Sequence, residues 1–146
     1  MGKTFVGIKN KGFWLRDSIL ELWLRFAALH IENSFDMTSD LCKIRNNWLV
    51  VSSGGFTGWV PHHIEEITST ENGKKIIIDT INSFLFVLKK APEKLDKNTL
   101  NLMGFGEWQF DVETFRLIEV SQAILDLINE KITNGPEDTT FMPGCR

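Results

Sequence analysis

The stretch Ile19 to Ile31 is apolar at nearly every position, broken only by Glu21, Arg25 and His30. It falls short of the roughly 20 residues a membrane-spanning helix needs, so it reads as a core element. Ser18 and Glu21 open it with the Ser-x-x-Glu spacing of a capping box, in which each side chain meets the other's free backbone N–H. A helix over 18–31 follows. Leu20, Trp23, Leu24, Ala27 and Ile31, with their apolar neighbours, cover almost its whole circumference, so other elements must surround it on most sides. Trp23 is expected at the centre of that packing.

The rest of the chain offers helices to do this. Asp36 can cap a helix over 37–53 with Leu41, Ile44, Trp48 and Val51 at helical spacing and Gly54–Gly55 to end it, although Trp48 to Ser52 is also β-prone. Pro61 suits the first position of a short helix over 61–68. Lys74 to Ile81 read alone resembles a strand. Ile77, Ile81, Phe84, Leu85 and Leu88 nevertheless keep helical spacing up to Pro92, which favours a helix over 74–90. Asp96 caps 97–103, and Asp111 opens a last helix over 112–133, ended by Gly135 and Pro136. The expected fold is therefore all-α, a single domain of five to six helices over residues 1–136. The first sixteen residues form a short segment of extended character, and 137–146 a mobile tail without periodicity.

With 146 residues, 42% hydrophobic and 24% charged, the chain can bury a core without metals or disulfides. Its two cysteines, Cys42 and Cys145, do not suggest a disulfide framework. The amino-terminal residues lack the apolar run of a secretory signal, so the default expectation is a cytoplasmic protein that is not inserted in a membrane.

The net charge of −3 is unevenly spread: residues 107–130 carry Glu107, Asp111, Glu113, Glu119, Asp126 and Glu130 against Arg116 alone. Such a surface repels phosphate backbones and attracts basic proteins, which argues against a nucleic-acid partner. The bland alternative is a solvated helix face. Two glycine-bearing loops carry aromatics, Ser52 to Trp59 and Gly104 to Phe110, which either plug the core or anchor a partner.

Catalytic signatures are sparse. His62 and Glu65, and His63 and Glu66, share faces at a spacing of three, which could serve a metal or an acid–base pair. Two histidines make no metal site, and the acids suit a helix's first turn through its dipole. Cys42 has no base beside it in sequence, and no phosphate-binding loop follows Gly54, Gly55 and Gly58. The expectation is a protein without catalytic residues, metal or cofactor. The competing readings are a small helical enzyme or metal-binding protein using His62 and His63, and a housekeeping interaction scaffold.

Gly12-Phe13-Trp14-Leu15-Arg16-Asp17 leading into Leu22-Trp23, Ile44-Arg45-Asn46-Asn47-Trp48-Leu49, and Leu100-Asn101-Leu102-Met103-Gly104-Phe105 resemble the immunity proteins of bacterial contact-dependent growth inhibition, encoded beside polymorphic toxins. The resemblance covers roughly residues 12 to 133. It implies an otherwise monomeric protein that binds its cognate toxin, a nuclease domain, in a 1:1 complex and blocks the active site by occlusion. The acidic surface then supplies the candidate contact residues: Glu107, Trp108, Asp111, Glu113 and Glu119, with Asp36, Asp40, Glu65 and Glu66 as second choices. Carboxylates facing a cationic cleft gain charge-assisted hydrogen bonds, and Trp108 can bury a large area.

Overall fold

In the computed structural model, which describes residues 2–145, the chain opens with a β-hairpin. Strands β1 (Lys3–Ile8) and β2 (Lys11–Arg16) pair antiparallel around a two-residue turn at Lys9 and Asn10. Both turn residues have positive φ, 52° and 66°, the type I′ geometry whose twist matches that of the strands. Thr4 opposes Leu15 and Val6 opposes Phe13 on the buried face, while Phe5 and Trp14 meet edge to face at 5.5 Å on the other. The expected all-α fold is thereby corrected. Among the described residues, six helices account for 51% and two small antiparallel sheets for another 11%, a mixed α/β architecture.

The outer edge of β2 is covered rather than bare. Gly12 N–H donates to the Asn134 carbonyl (2.8 Å) and Trp14 N–H to that of Phe141 (3.3 Å). Occupying these groups removes a template for edge-to-edge association. Residues 137–145, expected as a tail without a fixed place, supply part of this cover: Phe141 packs edge to face on Phe13, and Asp138 accepts from Asn134 and Thr140. Those hydrogen bonds, the Thr140 hydroxyl first, lower the Asp138 carboxyl to about 2.

Helix α1 (Asp17–Ser34) leaves β2 without a loop. The capping position therefore falls on Arg16, still in register with Lys3, and the Ser18–Glu21 capping box does not form. The Asp17 carboxylate is occupied elsewhere, accepting from the Thr4 hydroxyl and Gly58 N–H, both at 2.7 Å, and so ties hairpin, helix and the 52–60 loop together. Helix α2 (Ser39–Val51) is capped by Thr38 rather than Asp36, through Leu41 N–H. Helix α3 shrinks to Ile64–Ile67 and does not begin at Pro61. Lys74 to Ile81 is helical within α4 (Glu71–Leu88), and Thr70 caps it by accepting from Gly73 N–H.

After α4 come strand β3 (Lys94–Leu95), helix α5 (Lys97–Leu102), strand β4 (Val112–Glu113) and helix α6 (Thr114–Ile128). The last helix is shorter at both ends than expected. Its proposed first residues pair with β3, so Asp111 does not cap it. It stops where Glu130 adopts φ 61°, with Glu130 N–H returning to Leu127 and Lys131 N–H to Asp126, a Schellman ending on a residue other than glycine.

Trp23 occupies the centre, with no exposed surface. Its ring meets Trp48 of α2 at 5.5 Å and Phe84 of α4 at 6.0 Å, and its Nε1–H donates to Ser121 Oγ of α6 at 2.8 Å. One side chain thus touches all three helices packed around α1. The buried indole N–H is satisfied, as burial of a polar group requires.

Candidate protein-binding surface

Between β3 and β4 the chain makes an excursion over residues 96–111, and the two-strand pair closes its neck. Thr114 strengthens the closure, its N–H donating to the Glu93 carbonyl and its hydroxyl to that of Pro92. Several polar groups of this arm have local partners. Asp96 caps α5 through Thr99 N–H, and Asp111 Oδ1 accepts from Lys97 N–H at 3.0 Å. Helix α5 ends in a Schellman motif: Gly104 (φ 80°) donates to Asn101 and Phe105 to Leu100. Asn101 then clamps Trp108 from both sides, Oδ1 accepting its N–H (2.6 Å) and Nδ2 donating to its carbonyl (3.0 Å). Trp108 Nε1–H closes the loop on the Phe105 carbonyl.

The arm is also seated on the body. Phe105 stacks on Phe26 of α1 at 4.6 Å and 15°, and the Arg25 guanidinium lies 5.1 Å from the Phe105 ring centre. Its own apolar residues point the other way. Leu100 is buried, but Leu102, Phe110 and Met103 are 90%, 80% and 53% exposed. Val50, Trp59 and Phe86 are exposed elsewhere, but the arm gathers three large apolar side chains within one short segment, the concentration that marks an interaction surface.

Under the arm runs a groove of about 540 Å³. Ile19, Phe105, Trp108 and Val112 give it apolar walls. Charges of both signs surround them: Glu107 and Asp111 from the arm, Arg16, Arg116 and Glu21 from the body. No ion pair within 4.0 Å joins these groups among the described residues. Burial first, and the neighbouring Asp17 carboxylate second, raise the Glu21 pKa.

Of the residues singled out in the sequence, Glu107, Trp108 and Asp111 come together on this groove. Glu113 stands at the neck as the residue preceding α6, and Glu119 is half-buried further along that helix, with Oε1 lacking a hydrogen-bond partner among the described residues. The second choices do not form one surface. Asp40 and Glu66 line a different cavity of about 230 Å³, Glu65 accepts from Lys9 N–H at the hairpin turn, and Asp36 is exposed ahead of α2.

The histidine pair is engaged in structure. His62 Nδ1 accepts from Ile64 N–H (3.1 Å), the ring also hydrogen-bonds the Phe5 backbone, and burial above all pushes its pKa down to about 4. The ring therefore stays neutral at pH 7, with its Nδ1 lone pair committed. His63, at φ 61°, reaches only Glu66, at 3.4 Å. Among the described residues no three His, Cys, Asp or Glu side chains are grouped to hold a metal. His30 sits between Ser83 and Ser34 hydroxyls, a satisfied core histidine whose burial lowers its pKa.

Comparison with protein-family models, curated proteins and solved structures returns no match. No helix among the described residues is long and apolar enough to cross a membrane.

Sequence reasoning missed Leu102, Met103 and Phe110 as surface residues, and Arg16 and Arg116 as groove residues. A signal existed for Leu102. It stands two positions after Leu100, about 200° round the helix, so it points away from the core that Leu100 enters.

Proposed function

We propose that this chain is a protein-binding inhibitor that uses the 96–111 arm to cover the active site of a cognate toxin domain, as the immunity proteins its sequence resembles do. The observation that carries this reading is the arm itself: a backbone closed at its neck and clamped within, yet exposing Leu102, Met103 and Phe110. Ordering a loop on binding costs affinity, and an arm already held in one geometry avoids most of that cost. The exposed side chains are the anchors, and burying them against a partner returns the free energy their exposure forgoes. Glu107 and Asp111 on the same arm bias encounter toward a basic surface. Glu113 stands at its neck.

The proposed setting is the cytoplasm, with one inhibitor per toxin domain. Calorimetric titration with the carboxy-terminal domain encoded immediately upstream tests the reading. The expected outcome is a 1:1 complex whose affinity falls about 100-fold in the Leu102→Ser/Phe110→Ser double variant, a loss of hot-spot size. Its circular dichroism should be unchanged. No complex with the wild type, or full affinity in the folded double variant, would overturn it.

A further inference from the structure

The groove beneath the arm carries the acids Glu107 and Asp111 on the arm side, while on the body side the guanidinium groups Arg16 of β2 and Arg116 of α6 outnumber the Glu21 carboxylate of α1. Ile19, Trp108 and Val112 provide apolar surface between them. None of these charged groups comes within 4.0 Å of an opposite charge across the groove among the described residues. Arg116 is held back by donating to the Gly144 carbonyl (3.3 Å), and Asp111 by accepting from Lys97 N–H. Both anchors are fixed by the fold, so the walls keep their separation. A ligand of one sign meets repulsion from one wall, and an uncharged apolar one leaves both walls unsatisfied.

We infer that the groove takes a short segment of the protein partner in which one apolar side chain stands between a basic and an acidic residue. The apolar side chain fills the space between Ile19 and Trp108, the cation meets Glu107 and Asp111, and the carboxylate meets Arg16 and Arg116. The volume of about 540 Å³ suits such an occupant, lying in the range of roughly 300–1,000 Å³ typical of sites that bury a small ligand. This inference rests on the proposed role of the arm in partner binding, since the arm forms one wall. It adds the chemistry of the segment that enters.

Capped tripeptides test it without the partner. The probes are Ac-Lys-Leu-Glu-NH2 and Ac-Glu-Leu-Lys-NH2, with Ac-Lys-Leu-Lys-NH2, Ac-Glu-Leu-Glu-NH2 and Ac-Lys-Ser-Glu-NH2 as controls, each titrated to 10 mM-range concentrations and followed by NMR of the labelled protein. One of the two mixed-charge leucine peptides should shift Ile19 and the Trp108 indole and bind about fivefold or more tighter than every control. Arg116→Gln should erase its advantage over the Lys-Leu-Lys probe, and Glu107→Gln its advantage over the Glu-Leu-Glu probe. Equal binding of a single-sign or serine peptide, shifts confined to other surfaces, or no shifts at all would overturn the inference. None of these results touches the arm's exposed anchors, whose role stands or falls on the Leu102→Ser/Phe110→Ser titration.

Discussion

Replacing Trp23 with alanine removes a side chain with no exposed surface that joins α1 to three other helices. Deleting a large buried aromatic costs about 3–5 kcal/mol. Three features place this site at the upper end. The indole N–H bond to Ser121 contributes about 1 kcal/mol net, and the contacts with Trp48 and Phe84 about 0.5–1.5 kcal/mol each beyond area burial. The surrounding helices are held elsewhere, α4 and α6 by packing on each other and α6 also by the hairpin, so they cannot collapse fully into the space. A loss near 5 kcal/mol is expected, a large share of the roughly 5–15 kcal/mol available to a domain of this kind. Urea unfolding followed by far-UV circular dichroism measures it directly, free of the change in tryptophan fluorescence. A double-mutant cycle of Trp23→Phe with Ser121→Ala should return a coupling of about 1 kcal/mol for the hydrogen bond. A Trp23→Ala loss below about 1 kcal/mol would refute the central placement of the ring.

Three further outcomes are expected. His62 is neutral in the fold at pH values where the unfolded chain protonates it, so its contribution is complete above about pH 6.5 and declines as the pH falls toward 4. It levels off below that, after a loss on the order of 3 kcal/mol, and the difference between wild type and His62→Gln across this window in urea titrations should show that slope; parallel curves would contradict it. Glu130→Gly should stabilise by about 0.5–1 kcal/mol in the same assay because φ 61° suits glycine, and a destabilised variant would count against the Schellman ending. Asp17→Ala strands the Thr4 hydroxyl and Gly58 N–H, with an expected cost of about 2–3 kcal/mol and faster proteolysis in the 52–60 loop; an unchanged midpoint would contradict the tie.

The helices were legible where apolar periodicity ran long. Ile77, Ile81, Phe84 and Leu88 outweighed the β-prone Lys-Lys-Ile-Ile-Ile opening of α4, and packing against α6 agrees with that reading. The hairpin was not legible, although Thr4, Val6, Phe13 and Leu15 alternate as buried strand residues should. Its turn is Lys9-Asn10, without the glycine that usually marks a type I′ turn. Strand partners also lie far from the local window: the outer N–H groups of β2, on Gly12 and Trp14, donate to the carbonyls of Asn134 and Phe141. Caps misled for a similar reason. Ser18 and Asp111 have the right chemistry, but the strand pairing of Arg16 and of Val112–Glu113 moves each helix start away from them. At the candidate site the sequence identified Glu107, Trp108 and Asp111 through charge and aromatic content. It could not reveal Arg16 and Arg116 in the groove, because their place on the opposite wall depends on the docking of β2, α6 and the arm.

The proposal that the 96–111 arm is a binding surface is tested most directly by hydrogen–deuterium exchange on the complex it calls for, with a toxin domain encoded upstream. Amides of Gly106, Glu107, Gln109 and Phe110, exposed and outside any helix or strand in the free protein, should exchange at least about tenfold more slowly when bound, with the α2–α3 cavity and the hairpin turn unchanged. Protection confined to those other regions, with the arm exchanging as in the free protein, would contradict the account.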